Sequence, residues 1–141
     1  MYFKWNDKVL IMKVFVLTAI FRFAILAIPF KRLSKYMGTL KEESSSTISD
    51  EQYREAGRIA WAISKVIKYT PWESKCLVQA LTAQFLLYHK GIESTLYLGV
   101  KKDESEKNLM AHSWIRCGEF FVTGGNGENF AQVAKFKKGI I

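Results

Sequence analysis

Cysteine, proline and histidine each occur only twice in this chain. Cys76 and Cys117 lie far apart, which excludes the dense disulfide framework of a small secreted protein. Neither belongs to a C-x-x-C pair of the kind that binds zinc or exchanges disulfides. A reducing, cytoplasmic setting is expected, with no metal and no cofactor. Proline and glycine are too scarce for a collagen-like or low-complexity chain. Acidic residues are in the minority, 13 against 21 Lys and Arg, for a formal net charge of +8. That balance favours an acidic partner: nucleic acid, an anionic membrane face or an acidic peptide. The chain lacks an RNP-like aromatic motif, zinc-finger spacing and a recognition-helix signature, so nucleic acid is not expected.

With 141 residues, 49% of them hydrophobic, the chain can close one hydrophobic core and is too short for two well-separated ones. An apolar run from Val9 to Phe30 has the length of a transmembrane helix. Lys13 and Arg22 interrupt it, each costing roughly 2.5–3.5 kcal/mol near a bilayer centre, and no small-residue cleavage site follows. Pro29 ends the run, and Lys31, Arg32 and Lys35 come next. This combination suits a helix docked on its own domain, on a partner or on a membrane surface. Residues 1–38 read as an apolar and basic helical arm, 39–48 as a polar, serine-rich linker, and 49–141 as the main domain.

That domain opens with a capping box, Ser49 followed three residues on by Gln52. Tyr53, Ala56, Ala60, Ile63 and Ile67 then recur at helical spacing, predicting an amphipathic helix from Asp50 to about Tyr69. A second helix carries the stripe Leu77, Leu81, Phe85 and Tyr88, and Gly91-Ile92 fits a left-handed C-terminal cap with its hydrophobic contact. Its start is open between Thr70, with Pro71 at the first position and Glu73 closing a box, and Ser74. Ser94 to Val100 alternates as a half-buried strand with Leu96, Leu98 and Val100 inward. KKDESEKN reads as a charged loop. MAHSWIRC and FFVTG form a hairpin joined by Gly118-Glu119 in a two-residue type II′ turn. The tail NFAQVAKFKKGII offers one more strand or a helical turn. Two helices on one face of at least three antiparallel strands make an α+β domain.

A thiol nucleophile needs surroundings that favour the thiolate, an imidazole that takes and returns the proton, and a third group that holds the ring. With Ser74 as cap, Cys76 sits in a helical first turn, where free N–H groups and the helix dipole favour a thiolate. With Thr70 as cap it lies one turn deeper and the effect weakens. His112, on the first strand of the hairpin, is the candidate base. Taken singly, each residue reads more readily as ordinary structure, since a cysteine in an apolar helix is more often a small core residue than a nucleophile; the ordered pair is what points to chemistry. Cys117 adjoins the hairpin turn, and its five-residue separation from His112 turns it to the other face of the strand. His89 lies in the last turn of its helix, where a cation is favoured, and needs no chemistry to explain it.

Taken in order, Cys76-Leu77, Gly91-Ile92, Gly99-Val100 and His112-Ser113-Trp114 make the sequence from about Asp50 onward resemble the transglutaminase-like leader peptidases of lasso-peptide biosynthesis. The apolar arm ending near PFKRLSKYMG is also similar to that family's. The resemblance implies a transglutaminase-like, papain-like cysteine protease core with Cys76 as nucleophile and His112 as general base. Such an enzyme cuts the leader from a precursor peptide, freeing an amine for a partner macrocyclising enzyme. The resemblance further implies the split form, which lacks a leader-recognition domain and relies on a separate leader-binding protein. Where that family places an Asp on the strand after the hairpin, this chain reads Thr123-Gly124-Gly125-Asn126. Ladder counting from a Cys117–Phe120 pair puts Gly125 opposite His112. Asn126 is the candidate orienting group, provided a glycine-assisted bulge re-aims it; Glu128, a backbone carbonyl or a partner residue are the alternatives. Trp114 shares a strand face with His112 and either walls the site or fills core. Trp72 either lines a substrate groove or packs. The N–H of Cys76 is a candidate oxyanion donor. The missing Asp leaves a second reading, a non-catalytic docking protein with this fold, and residues 9–30 leave a third, a peripheral membrane adaptor.

Overall fold

The computed structural model describes residues 5–72, 74–102 and 109–139. Among them the helices are α1 (Trp5–Ala27), α2 (Phe30–Tyr36), α3 (Asp50–Val66) and α4 (Cys76–His89). The strands are β1 (Thr39–Leu40), β2 (Ser94–Lys102), β3 (Leu109–Cys117), β4 (Phe120–Thr123) and β5 (Ala131–Lys138). They form one antiparallel sheet in the order β1-β5-β2-β3-β4. Helices α3 and α4 pack on the sheet and α1 packs on both helices, which is the α+β class the sequence predicts.

Local chemistry fixes the helix ends. Ser49 and Gln52 form the expected box: Ser49 Oγ accepts the Gln52 N–H and Gln52 Oε1 accepts the Ser49 N–H, both at 3.1 Å. Helix α3 stops at Val66, before the expected Tyr69, because the Tyr69 N–H closes a tighter turn on the Val66 carbonyl. The start of α4 differs from both expected caps. Its N-cap is Lys75, which provides no side-chain cap, while the Thr70 and Ser74 hydroxyls bond each other at 3.0 Å. Glu73 lies outside the described residues. At the other end Gly91 takes φ +75°, the Ile92 N–H reaches the Leu87 carbonyl and the Gly91 N–H that of Tyr88. This is the Schellman pattern the Gly-Ile pair predicts.

The one-face stripe expected for α4 is an underestimate. Val78, Ala80, Leu81, Thr82, Ala83, Gln84, Leu86 and Leu87 are all buried, because α1 and α3 cover the sides the sheet leaves open. The arm shares this core: Leu10, Val14, Phe21, Leu33 and Met37 join the same cluster as Leu96, Ile115 and Phe136. Arg58 Nε also pairs with Asp7 Oδ1 at 3.0 Å. Stretch 39–48 is more than a linker. Thr39 and Leu40 pair with β5, and buried Ser44 is bonded to Thr95 Oγ1 through its N–H and its hydroxyl. The tail left open between strand and helical turn is β5, seated between β1 and β2.

Strand β2 is covered on both faces rather than half-buried. Leu96 aligns with Ile115 and Phe136 on the side of the helical core. Tyr97 and Trp114 align on the opposite side, where their rings stack at 5.5 Å. The β3–β4 hairpin forms as expected, with Cys117 opposite Phe120. Gly118 takes φ +58° and Glu119 is not among the positive-φ residues, which fits a type II′ turn. Residues 103–108, most of the expected charged loop, lie outside the described residues.

Candidate active site

The Gly91 cap reverses the chain, so β2 runs back along α4. Fourteen residues of α4 at about 1.5 Å each span roughly 21 Å. The extended run from Ile92 to Gly99, about seven steps of about 3.3 Å, covers nearly the same length. Cys76 at the start of α4 and Gly99 on β2 therefore stand at the same end of the domain. Gly99 is paired with His112 on β3, which brings the candidate nucleophile and base to one end of the fold.

Cys76 is the first residue of α4, half-exposed and unpaired. The N-cap residue Lys75 makes no side-chain cap, and the thiol stands at the positive end of the helix dipole. His112 is also half-buried, and its Nε2 lies 2.7 Å from the Gly124 carbonyl oxygen. A carbonyl only accepts, so Nε2 carries the proton and donates. In the neutral ring Nδ1 is then the nitrogen with the free lone pair. The ring stacks at 5.9 Å from Trp114 and lies 4.8 Å from Phe130. By register it rises from the Tyr97–Trp114 face of the sheet, while the α4 face carries Ile115 and Cys117. Among the described residues no hydrogen bond joins Cys76 to His112.

The group bonded to the His112 ring is a backbone carbonyl, not the Asn126 side chain expected from sequence. Phe121 pairs with Arg116 and Thr123 with Ile115, leaving Val122 as an extra residue in a bulge. The ladder shifts by one, and β4 ends at Thr123 before the count reaches Gly125. Gly124, Gly125 and Gly127 then take φ values of +77°, +70° and +73°. A Cβ on Gly124 would run into the Ser113 carbonyl oxygen and the base of Trp114. That close passage is what delivers the Gly124 carbonyl to His112. Asn126 instead accepts the Glu128 N–H on its own Oδ1 at 3.0 Å. A backbone carbonyl was one of the alternatives. The run of left-handed glycines was its only sequence signal.

A family profile described as transglutaminase-like superfamily matches residues 24–135. The chain belongs to the transglutaminase-like superfamily. No curated protein and no solved structure matches it. The matched span takes in the end of α1 and everything through most of β5, and the transglutaminase-like fold commonly serves cysteine proteases.

In this transglutaminase-like domain the two candidate tryptophans, Trp72 and Trp114, have distinct surroundings. Trp114 is 4% exposed and lies outside the helical core, on the other face of the sheet. Gly99 and Gly127 make room for it: a Cβ on Gly99 would come within 2.7 Å of the indole, and one on Gly127 would overlap it. Trp114 thus fills a second, smaller core beneath the 124–130 loop and supports the His112 ring. Trp72 is committed to α1, its Nε1 donating to Thr18 Oγ1 at 3.1 Å and its ring meeting Phe15 edge-on at 4.9 Å. It packs on the arm and stays half-exposed. Cys117 is fully buried, and burial pushes its thiol up to about 11. His89 is exposed and its ring lies 4.3 Å from that of Phe85. Among the described residues no group of three His, Cys, Asp or Glu is placed to hold a metal.

Proposed function

We propose that this protein is a cysteine endopeptidase that removes the leader from a lasso-peptide precursor in the cytoplasm, working with a separate leader-binding protein and a macrocyclising enzyme. Cys76 Sγ attacks the scissile carbonyl carbon. His112 Nδ1 takes the thiol proton and returns it to the leaving amine, and water then cleaves the thioester. Gly124 fixes the tautomer in place of a carboxylate, and the Cys76 N–H donates to the oxyanion.

The observation that carries this reading is the Nε2–Gly124 carbonyl bond, which sets His112 up as a base at the end of the domain where Cys76 opens α4. Catalytic hydrogen bonds are often unformed before substrate binds. His112 rises from the sheet face away from α4 and makes no bond to Cys76, so on this reading precursor and leader-binding protein must bring the two groups together. The same gap favours the rival reading, a docking protein that keeps the fold without the chemistry.

Mixing the precursor with this protein and its leader-binding partner separates the two. Cleavage that depends on both proteins and vanishes in Cys76→Ala is expected. Cleavage at the wild-type rate by Cys76→Ala overturns the assignment. Alkylation of Cys76 no faster than that of an unactivated thiol, with no cleavage, favours the docking protein.

A further inference from the structure

Helix α1 is apolar on two sides and the domain uses only one. Leu10, Val14, Thr18 and Phe21 are buried against α3 and α4. At about 100° per residue, Met12, Val16, Ile20, Phe23 and Leu26 fall on the opposite side, and all are exposed: Met12 and Phe23 at 64%, Leu26 at 65%. Lys13 and Arg22 stand at the two edges of this face. The apolar surface continues past the helix through exposed Ile28 and Phe30. It then enters a groove of about 520 Å³ between α1 and α2 in which, among the described residues, Arg32 is the one charged lining residue. A monomer rarely leaves so continuous an apolar surface bare.

Charge identifies the occupant. From position 8 to position 41 the sequence has Lys8, Lys13, Arg22, Lys31, Arg32, Lys35 and Lys41 and no Asp or Glu. Asp7, just before, is engaged with Arg58. A second copy of the chain would set this cationic rim against itself, since a two-fold interface pairs the same patch with its own image. A membrane-spanning α1 would have to abandon the stripe buried on α3 and α4 and the Trp72–Thr18 bond. An apolar face with a rim of one sign matches hydrocarbon beneath negative headgroups.

We propose that α1 and α2 form a docking surface for an anionic lipid bilayer. Helix α1 lies in the headgroup plane with Met12, Val16, Ile20, Phe23 and Leu26 turned into it, and the exposed bases Lys31, Arg32 and Lys35 of α2 meet the lipid phosphates. Trp72 rests on α1 four residues before Cys76, so docking holds the candidate site close to the membrane plane. The docking does not depend on the thiol chemistry.

Flotation of the full chain with vesicles tests this, using phosphatidylcholine alone and an equal mixture of phosphatidylcholine and phosphatidylglycerol. Binding to the mixed vesicles should exceed binding to neutral ones by about tenfold and fall steeply with added salt. Phe23→Glu should abolish it, and Lys31→Glu with Arg32→Glu should reduce it to the neutral-vesicle level, with circular dichroism and thermal unfolding unchanged because these side chains are exposed. Equal binding to both vesicles, or none, overturns the proposal. So does a solution dimer dissolved by Phe23→Glu, which would make a second copy the occupant. Retention in the lipid after alkaline carbonate extraction would make α1 a span and also overturn it.

Discussion

The two ends of β3 each stand beside a cysteine, and they are built in opposite ways. At the hairpin end, Arg116 spends its guanidinium on the Gly118, Ser44 and Ser45 carbonyls and the Tyr97 hydroxyl. Tyr53 accepts the Glu119 N–H, and Cys117 is sealed in the core. At the other end, among the described residues, the Cys76 thiol has no hydrogen bond, the N-cap Lys75 makes no side-chain cap, and buried Ser113 Oγ has no partner. The Arg116 and Tyr53 bonds tie the hairpin end to the 44–45 stretch and to α3. The other end carries a half-exposed thiol, the one the proposed chemistry uses.

The sharpest break between the two ends is the thiol itself. Cys76→Ala should lower leader cleavage at least about a thousandfold, as loss of a nucleophile does, with the unfolding midpoint unchanged. Cys117→Ala should leave the cleavage rate of folded protein intact. Precursor turnover followed by mass spectrometry checks both, and equal losses would erase the distinction between the ends.

Gly124→Ala is next in size. The new Cβ meets the Ser113 carbonyl and Trp114, so the carbonyl that holds His112 must move. A misplacement on the order of an ångström costs up to about a hundredfold in kcat, and a left-handed non-glycine residue costs about 1–3 kcal/mol of stability. Gly125→Ala is the control. It shares the positive φ, but its Cβ meets open space, so it should lose stability while keeping its activity and pH profile. If Gly124→Ala keeps the wild-type pH profile too, the carbonyl does not orient the base.

Much of this was legible in the sequence. The Ser49–Gln52 box, the Gly91-Ile92 cap and the Gly118-Glu119 turn act within a few residues, and each formed as read. Features that depend on distant partners were hidden. Nothing near Lys75 announces that Thr70 and Ser74 pair with each other and leave α4 to start at Cys76. The NFAQVAKFKKGII tail becomes a strand between β1 and β2 because both neighbours pair with it, not from its own alternation. The bulge at Val122 defeats ladder counting: one extra residue displaces every later partner, and the group bonded to His112 is a glycine carbonyl, which has no side-chain signature. Trp114 was placed correctly beside His112, but that it occupies a core of its own depends on Gly99 and Gly127.

At the anchor end the expected effects are on stability. Arg116→Met keeps the aliphatic length and removes the bonds that tie the hairpin to Ser44, Ser45 and Tyr97. The charge-assisted bonds should cost about 2–3 kcal/mol in a urea titration, with cleavage by the folded fraction unaltered. A matching loss of catalysis would mean the two ends are coupled along β3 rather than independent.

The smallest effect concerns Cys117 and follows from its burial. Its thiol is held protonated in the folded chain to about pH 11, against an ordinary value of 9.0. Unfolding therefore releases a proton once the pH passes 9, and linkage makes the folded state lose stability from there up to about 11 and not below. Lysines and tyrosines titrate in the same window, so the measurement is a difference: urea midpoints of wild type and Cys117→Ala at steps from pH 7 to pH 11. The variant should start lower by about 1 kcal/mol for the lost sulfur and fall less steeply above pH 9. Iodoacetamide at neutral pH should meanwhile label Cys76 alone and reach Cys117 only in denaturant. Parallel curves, or two thiols labelled at once in the native state, would place Cys117 in water and remove the contrast between the two ends of the strand.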